Sequence, residues 1–374
     1  MNEDQAVRTG RLGVLLEYLE SDPENLALIS DAAEAALDEG DADTAAALLA
    51  RYAAVAPLPE AQTNLAGLAA LRLGQYDVAG AFFERLLANG ADDSALRFNL
   101  AWAWAMKKDL KGALSLLDDD VARALPQAAM LKVQILHQHG AFDEAAALAR
   151  EYIEVHPDYA PLMAAVSVLA LDVGDEALAA RCAAKAGDHP DALSTLGTLA
   201  LGEERATEAL AIFERALDGN ALAPRAWVGL GLAKLLSGQA DTAAADIDRG
   251  AALFEDHLGS WIAAGWAHFV NRDMAASRER FETALRIDPN FAESHGSLAV
   301  LDLLEGNAES ARQRSDVALR LDRQCYSAAL AKSLLAAGAG DEVGAQRIYA
   351  LAVNTPVDES GRTIAQALAK LGMA

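Results

Sequence analysis

The stretch 258–291 reads "LGSWIAAGWAHFVNRDMAASRERFETALRIDPNF", and its neighbours repeat its pattern. Residues 224–257, "PRAWVGLGLAKLLSGQADTAAADIDRGAALFEDH", and 292–325, "AESHGSLAVLDLLEGNAESARQRSDVALRLDRQC", align with it gap-free at a period of 34 residues. Trp227, Trp261 and His295 fall in one column, and Gly231, Gly265 and Ala299 in a second. Ala243, Ser277 and Ala311 form a third, and Gly250, Ala284 and Ala318 a fourth. Each block divides into two amphipathic helices around a turn such as "LSGQADT", "VNRDMAA" or "LEGNAES". In the first helix the fourth, seventh, eighth and eleventh residues share a stripe, as 3.6 residues per turn requires. Small residues at the eighth and twentieth positions let the paired helices approach closely.

The closing "RIDPNFA" (286–292) is the joint between blocks. Proline removes an amide donor and biases the residue before it away from helix, so the second helix must stop there. The next helix can begin around it, where amides are unpaired in any case. The same punctuation stands in "ESDPENL" (20–26), "EVHPDYA" (154–160) and "GDHPDAL" (187–193). One such unit cannot bury its apolar face alone, and stacked neighbours supply the missing surface.

These columns resemble the tetratricopeptide repeat, a degenerate pattern of Trp, Leu, Gly, Tyr, then Ala, Phe, Ala, Pro over 34 residues. Repeat 258–291 carries Trp261, Gly265, Phe281, Ala284 and Pro289, and departs with Ala264 for Leu, His268 for Tyr and Ser277 for Ala. Extended outward, the register gives windows near 26–59, 60–93, 94–125, 126–159, 160–189, 190–223, 224–257, 258–291, 292–325 and 326–359, about nine of them full repeats. The 160–189 window is about two residues short, which we place at its turn. Arg11 to Pro23 resembles the second half of a repeat, and 360–374 is expected to hold a helix that caps the last apolar face. The resemblance implies an all-α, right-handed α-solenoid of tandem helix–turn–helix repeats over 1–374, read as one domain. First helices would line its concave side.

Composition agrees with helix and narrows the function. Of 374 residues 53% are apolar, mostly alanine, and only 6% aromatic. A net charge of −24 argues against nucleic acid or an anionic membrane surface as the main partner, since phosphate binding needs clustered Lys and Arg. The acidic start "MNEDQAVRTGRLGVLLEYLE" lacks the order of a signal peptide, and no stretch reads as a membrane span. A cytoplasmic location is the expectation.

The family's working surface is the concave groove, lined by positions 2, 5, 9, 12 and 13 of each repeat. Those positions here are apolar from Val228 to Leu334: Val228, Leu232, Leu235 and Leu236, then Ile262, Trp266, Phe269 and Val270, then Val300, Leu303 and Leu304, then Leu330 and Leu334. Phe98, Trp102 and Met106 form a smaller set. Charges on this face are few: Glu34, Asp38, Arg72, Asp172, Asp191, Arg225 and Glu293. Acid elsewhere, as in "DDD" at 118–120, reads as a solubility device. A face this apolar needs covering. The coverings considered are a partner helix or apolar peptide, a second copy of the chain as a homodimer, or the solenoid's own tight winding. The first reading makes the protein a non-catalytic scaffold, adaptor or chaperone. An envelope or secretion assembly factor is a further alternative, resting only on what some relatives do.

Catalytic and cofactor signatures are not found in the sequence. His137 and His139 point to different sides of a helix, and no Cys-x-x-Cys, His-Glu-x-x-His, phosphate-cradling or nucleophile-elbow motif occurs. Cys182 and Cys325 lie far apart and have no nearby cue for a lowered pKa. His268 and His295, with Asp302, are expected to make a buried His–Asp contact between adjacent repeats. No catalytic residue, metal or cofactor is expected.

Overall fold

The computed structural model describes residues 10–354, and the cap expected at 360–374 lies outside them. Among the described residues there are 22 helices and no strand. The chain divides into two compact units, the first ending at Leu169 and the second beginning at Ala170. The first unit holds α1 (Arg11–Ser21), α2 (Leu26–Asp38), α3 (Ala42–Val55), α4 (Glu60–Arg72) and α5 (Tyr76–Ala88). It continues with α6 (Ser94–Met106), α7 (Leu110–Leu116), α8 (Asp119–Ala124), α9 (Pro126–Gln138) and α10 (Phe142–Val155). The boundary falls inside α11 (Ala160–Asp172). The second unit holds α12 (Glu176–Ala186), α13 (Pro190–Gly202), α14 (Ala206–Gly219), α15 (Pro224–Leu236), α16 (Ala240–Phe254) and α17 (Leu258–Val270). It ends with α18 (Met274–Ile287), α19 (Ala292–Leu304), α20 (Ala308–Leu321), α21 (Tyr326–Gly338) and α22 (Glu342–Asn354).

Within each unit the helices form tandem antiparallel hairpins, an α-solenoid. Every second helix starts sixteen residues after its first, from Leu26 and Ala42 through Pro224 and Ala240 to Tyr326 and Glu342. Irregularity is confined to second helices. In 160–189 the turn has its usual length, so the shortfall expected there is instead in α12, which runs 11 residues against 14 in α14 and α18. That shortening changes the role of its proline. Pro289 stays in the joint after Asp288 leaves the helix at φ −136°, whereas Pro190 moves into the first turn of α13. In 94–125 the second helix breaks into α7 and α8, and the Asp118 carboxylate restarts it by accepting from Val121 N at 2.9 Å.

Positions 8 and 24 of each hairpin share a fixed volume. A Cβ built on Gly67 would lie 2.5 Å from the Phe83 ring, on Gly197 2.7 Å from Phe213, on Gly231 2.4 Å from Ile247 and on Gly265 2.2 Å from Phe281. Where position 8 is Ala33 or Ala101, position 24 shrinks to Leu49 or Leu117. Where it is Val133, position 24 is Ala149, and all six are buried. Phe213 is also clasped from the next hairpin, because a Cβ on Gly229 would come within 2.2 Å of its ring. Close packing of this kind leaves no slack for one added methyl group.

The Trp column has a hydrogen-bonding reason. Trp227 Nε1 donates to the Ala221 carbonyl at 2.9 Å and Trp261 Nε1 to the Glu255 carbonyl at 2.8 Å, six residues back in the joint. His295 Nε2 meets the Pro289 carbonyl at 2.8 Å in the same way, so histidine replaces tryptophan as a ring N–H donor.

Position 15, at each hairpin turn, is left-handed. Gly238 and Gly306 take φ of 77° and 86° there, but Lys108, Glu204 and Arg272 hold φ of 65°, 63° and 62°. A side chain in this region costs about 1–2 kcal/mol, partly offset by the entropy glycine loses on folding. Arg272→Gly and Lys108→Gly are each expected to stabilise the chain by about 0.5–1 kcal/mol in urea unfolding.

Candidate functional site

The second unit presents the apolar face through its first helices α15, α17, α19 and α21. Position 13 is the most open column: Leu236 is 44% exposed, Val270 58% and Leu304 57%. Leu334, at position 9 of α21, is 39% exposed. Behind them Val228, Leu232, Leu235, Ile262, Trp266, Phe269, Leu303 and Leu330 are half-buried. Trp266 is fixed edge-on to Phe269 and Phe281, with ring centroids 5.2 and 5.4 Å away. One of the expected face residues is misplaced. Val300 is 2% exposed, enclosed with Ala299 and Ala331 and covered by Trp266 and Leu330, so it belongs to the core. The cause is the close approach of α21 to α19, which a single repeat does not reveal. In the first unit Phe98 and Trp102 are half-buried, with rings 6.0 Å apart, and Met106 is 42% exposed.

Several charges that the sequence places on this face are engaged by the chain itself. Arg225 donates to both carboxylate oxygens of Asp172, at 3.1 and 2.6 Å. Glu293 accepts from Tyr326 N at 2.9 Å and from Ser327 Oγ at 2.5 Å, holding the start of α21. Arg72 donates to the Leu37 carbonyl and Arg11 to Glu34. What remains outward between them is hydrocarbon.

Behind the face, two buried carboxylates tie hairpins together. Asp302, its side chain 6% exposed, accepts from Arg278 at 2.7 Å and Arg314 at 2.9 Å. Asp248 accepts from Arg280 through two contacts of 2.9 Å and lies 2.9 Å from His268 Nε2. The expected pairing of His268 or His295 with Asp302 is therefore incorrect. Position 11 of a first helix sits between its own second helix and the preceding one, so His268 meets Asp248 of α16 and Asp302 meets Arg278 of α18. Burial raises the Asp248 carboxyl, but hydrogen bonds from Arg280 and His268 outweigh it and hold it below its ordinary range. The folded value lies below the unfolded one of about 3.9, so this pairing stabilises fully above that pH and fades as pH falls towards the folded value. The melting-temperature gap between the wild type and Asp248→Asn is thus expected to narrow between about pH 6 and about pH 3.

Chemistry of other kinds finds little support in the geometry. Among the described residues, no group of three or more His, Cys, Asp and Glu is placed to hold a metal ion. Burial pushes the thiols of Cys182 and Cys325 up, and Glu293 raises Cys325 further, away from nucleophilic use. No helix among the described residues is long and apolar enough to cross a membrane.

Fold and site together define a class: a helical-hairpin repeat protein whose first helices carry an outward apolar face. The tetratricopeptide repeat profile matches residues 30–94, 64–129 and 194–257, and the chain is a tetratricopeptide repeat protein. Repeats of this kind are in general protein–protein interaction scaffolds, and proteins built from them are typically non-catalytic. No curated protein matches the chain. Similar solved structures include two of monomeric IFIT1 mutants, one with Gppp-AAAA and one with m7Gppp-AAAA. Each aligns at a TM-score of 0.54 and 11% identity, covering 93% of this chain and 95% of the other. That likeness is one of fold.

Proposed function

We propose that the protein is a non-catalytic scaffold that captures an apolar helical segment of a partner protein on the first-helix face of residues 224–338. The observation that carries this reading is the open column Leu236, Val270 and Leu304, lying over the half-buried Leu232, Trp266 and Leu303. Each large apolar side chain moved from water into an interface contributes about 1.5–3 kcal/mol, so a few of them suffice for capture. A protein segment suits this face better than nucleic acid, given the net charge of −24 and the arginines already engaged with carboxylates.

Val270→Glu with Leu304→Glu tests this directly, because both side chains are exposed and their loss leaves the core intact. Affinity for a leucine-striped helical peptide is expected to fall at least about tenfold, with the melting temperature within about 2 °C of wild type. Unchanged affinity, or unfolding of the variant, would reject the reading.

A further inference from the structure

The open apolar column is bordered along its length by acid, and that placement says what kind of segment it takes. Leu236, Val270 and Leu304 each stand immediately before a hairpin turn. Those turns and the helix starts that follow carry exposed Glu204, Glu208, Asp241, Glu305 and Glu309 on one edge, against Arg272. Leu236 itself lines an open pocket of about 460 Å³ with Glu204 and Glu208. An apolar strip beside an anionic edge complements a helix whose leucine face is flanked by Lys or Arg. It opposes a second copy of this chain, which would bring −24 against −24.

We infer that the occupant of this face is a cationic amphipathic helix, with its apolar stripe on the Leu236–Val270–Leu304 column and its positive flank along the turn edge. The inference rests on the capture reading above and adds the partner's charge. It also revises the expectation that the acid serves solubility alone.

Two labelled helical peptides with the same leucine stripe, one flanked by Lys and Arg and one by Glu, would be titrated with the full chain. At about 50 mM salt the cationic peptide is expected to bind at least tenfold tighter, and at about 500 mM that advantage should shrink below about threefold. Val270→Glu with Leu304→Glu should abolish binding of the cationic peptide, although it adds negative charge, which separates docking from bulk attraction. Equal binding of the two peptides, or tighter binding of the anionic one, overturns the charge assignment and leaves the capture reading standing. If neither peptide binds, or if the double variant still binds, both readings fall. A dimer in sedimentation that these two substitutions dissociate would assign the face to a second copy and overturn the inference.

Discussion

Gly265→Ala is expected to lower stability by about 1–3 kcal/mol, and Phe281→Leu in the same chain to restore most of the loss. The added methyl group would lie 2.2 Å from the Phe281 ring, which is itself fully buried and held edge-on by Trp266. Neither helix can retreat without opening the contacts on its other side. Trimming the ring to leucine recreates the Ala–Leu pairing that the chain already uses at Ala33 with Leu49 and Ala101 with Leu117. Phe281→Leu alone should destabilise through the gap it leaves, so the two substitutions should show a coupling energy of opposite sign to their separate costs. Gly338→Ala is the control. Its new methyl group meets nothing within 4 Å, and the gain in helix propensity should stabilise by up to about 1 kcal/mol. Urea midpoints of the four variants decide the matter, and failure of the double variant to recover would show that position 8 is small for another reason.

Asp302→Ala carries the second large expectation, a loss of about 3 kcal/mol. Its carboxylate is the common partner of Arg278 and Arg314, and only 6% of its side chain reaches solvent. Removing it leaves two guanidinium groups facing each other across an apolar gap, although Arg278 keeps Glu305 at 2.9 Å. That retained contact places the effect at the lower end of what breaking a buried ion pair costs. Replacing all three charged residues with apolar ones of similar volume should recover most of the stability, because the desolvation penalty of the cluster disappears with its charges. If Asp302→Ala behaved like an ordinary surface substitution, the cluster would be solvated and the link between α18 and α19 would not depend on it.

Much of this architecture is legible in one dimension because its causes are local. A hairpin start sixteen residues from its partner, and small residues opposite large ones, follow from helix geometry over a span of two helices. Gly265 and Phe281 can be paired on paper for that reason. The apolar character of the first helices can be read in the same way.

What needed three dimensions is what depends on a neighbour of unknown distance. Val300 has the same sequence credentials as Trp266, yet α21 approaches α19 closely enough to enclose it with Ala331. His268 might have met any of several carboxylates, and the arrangement of α16 and α18 selects Asp248. The left-handed turns at Lys108, Glu204 and Arg272 carry no glycine to announce them. Charge is the sharpest case. Composition sums to −24 wherever the acids lie, while only the packed chain shows Arg225 and Glu293 engaged internally and Glu204, Glu208 and Glu305 ranged beside an open strip of Leu236, Val270 and Leu304. Periodicity along a chain determines which residues share a helix face, but the exposure of that face is set by the helices that pack against it.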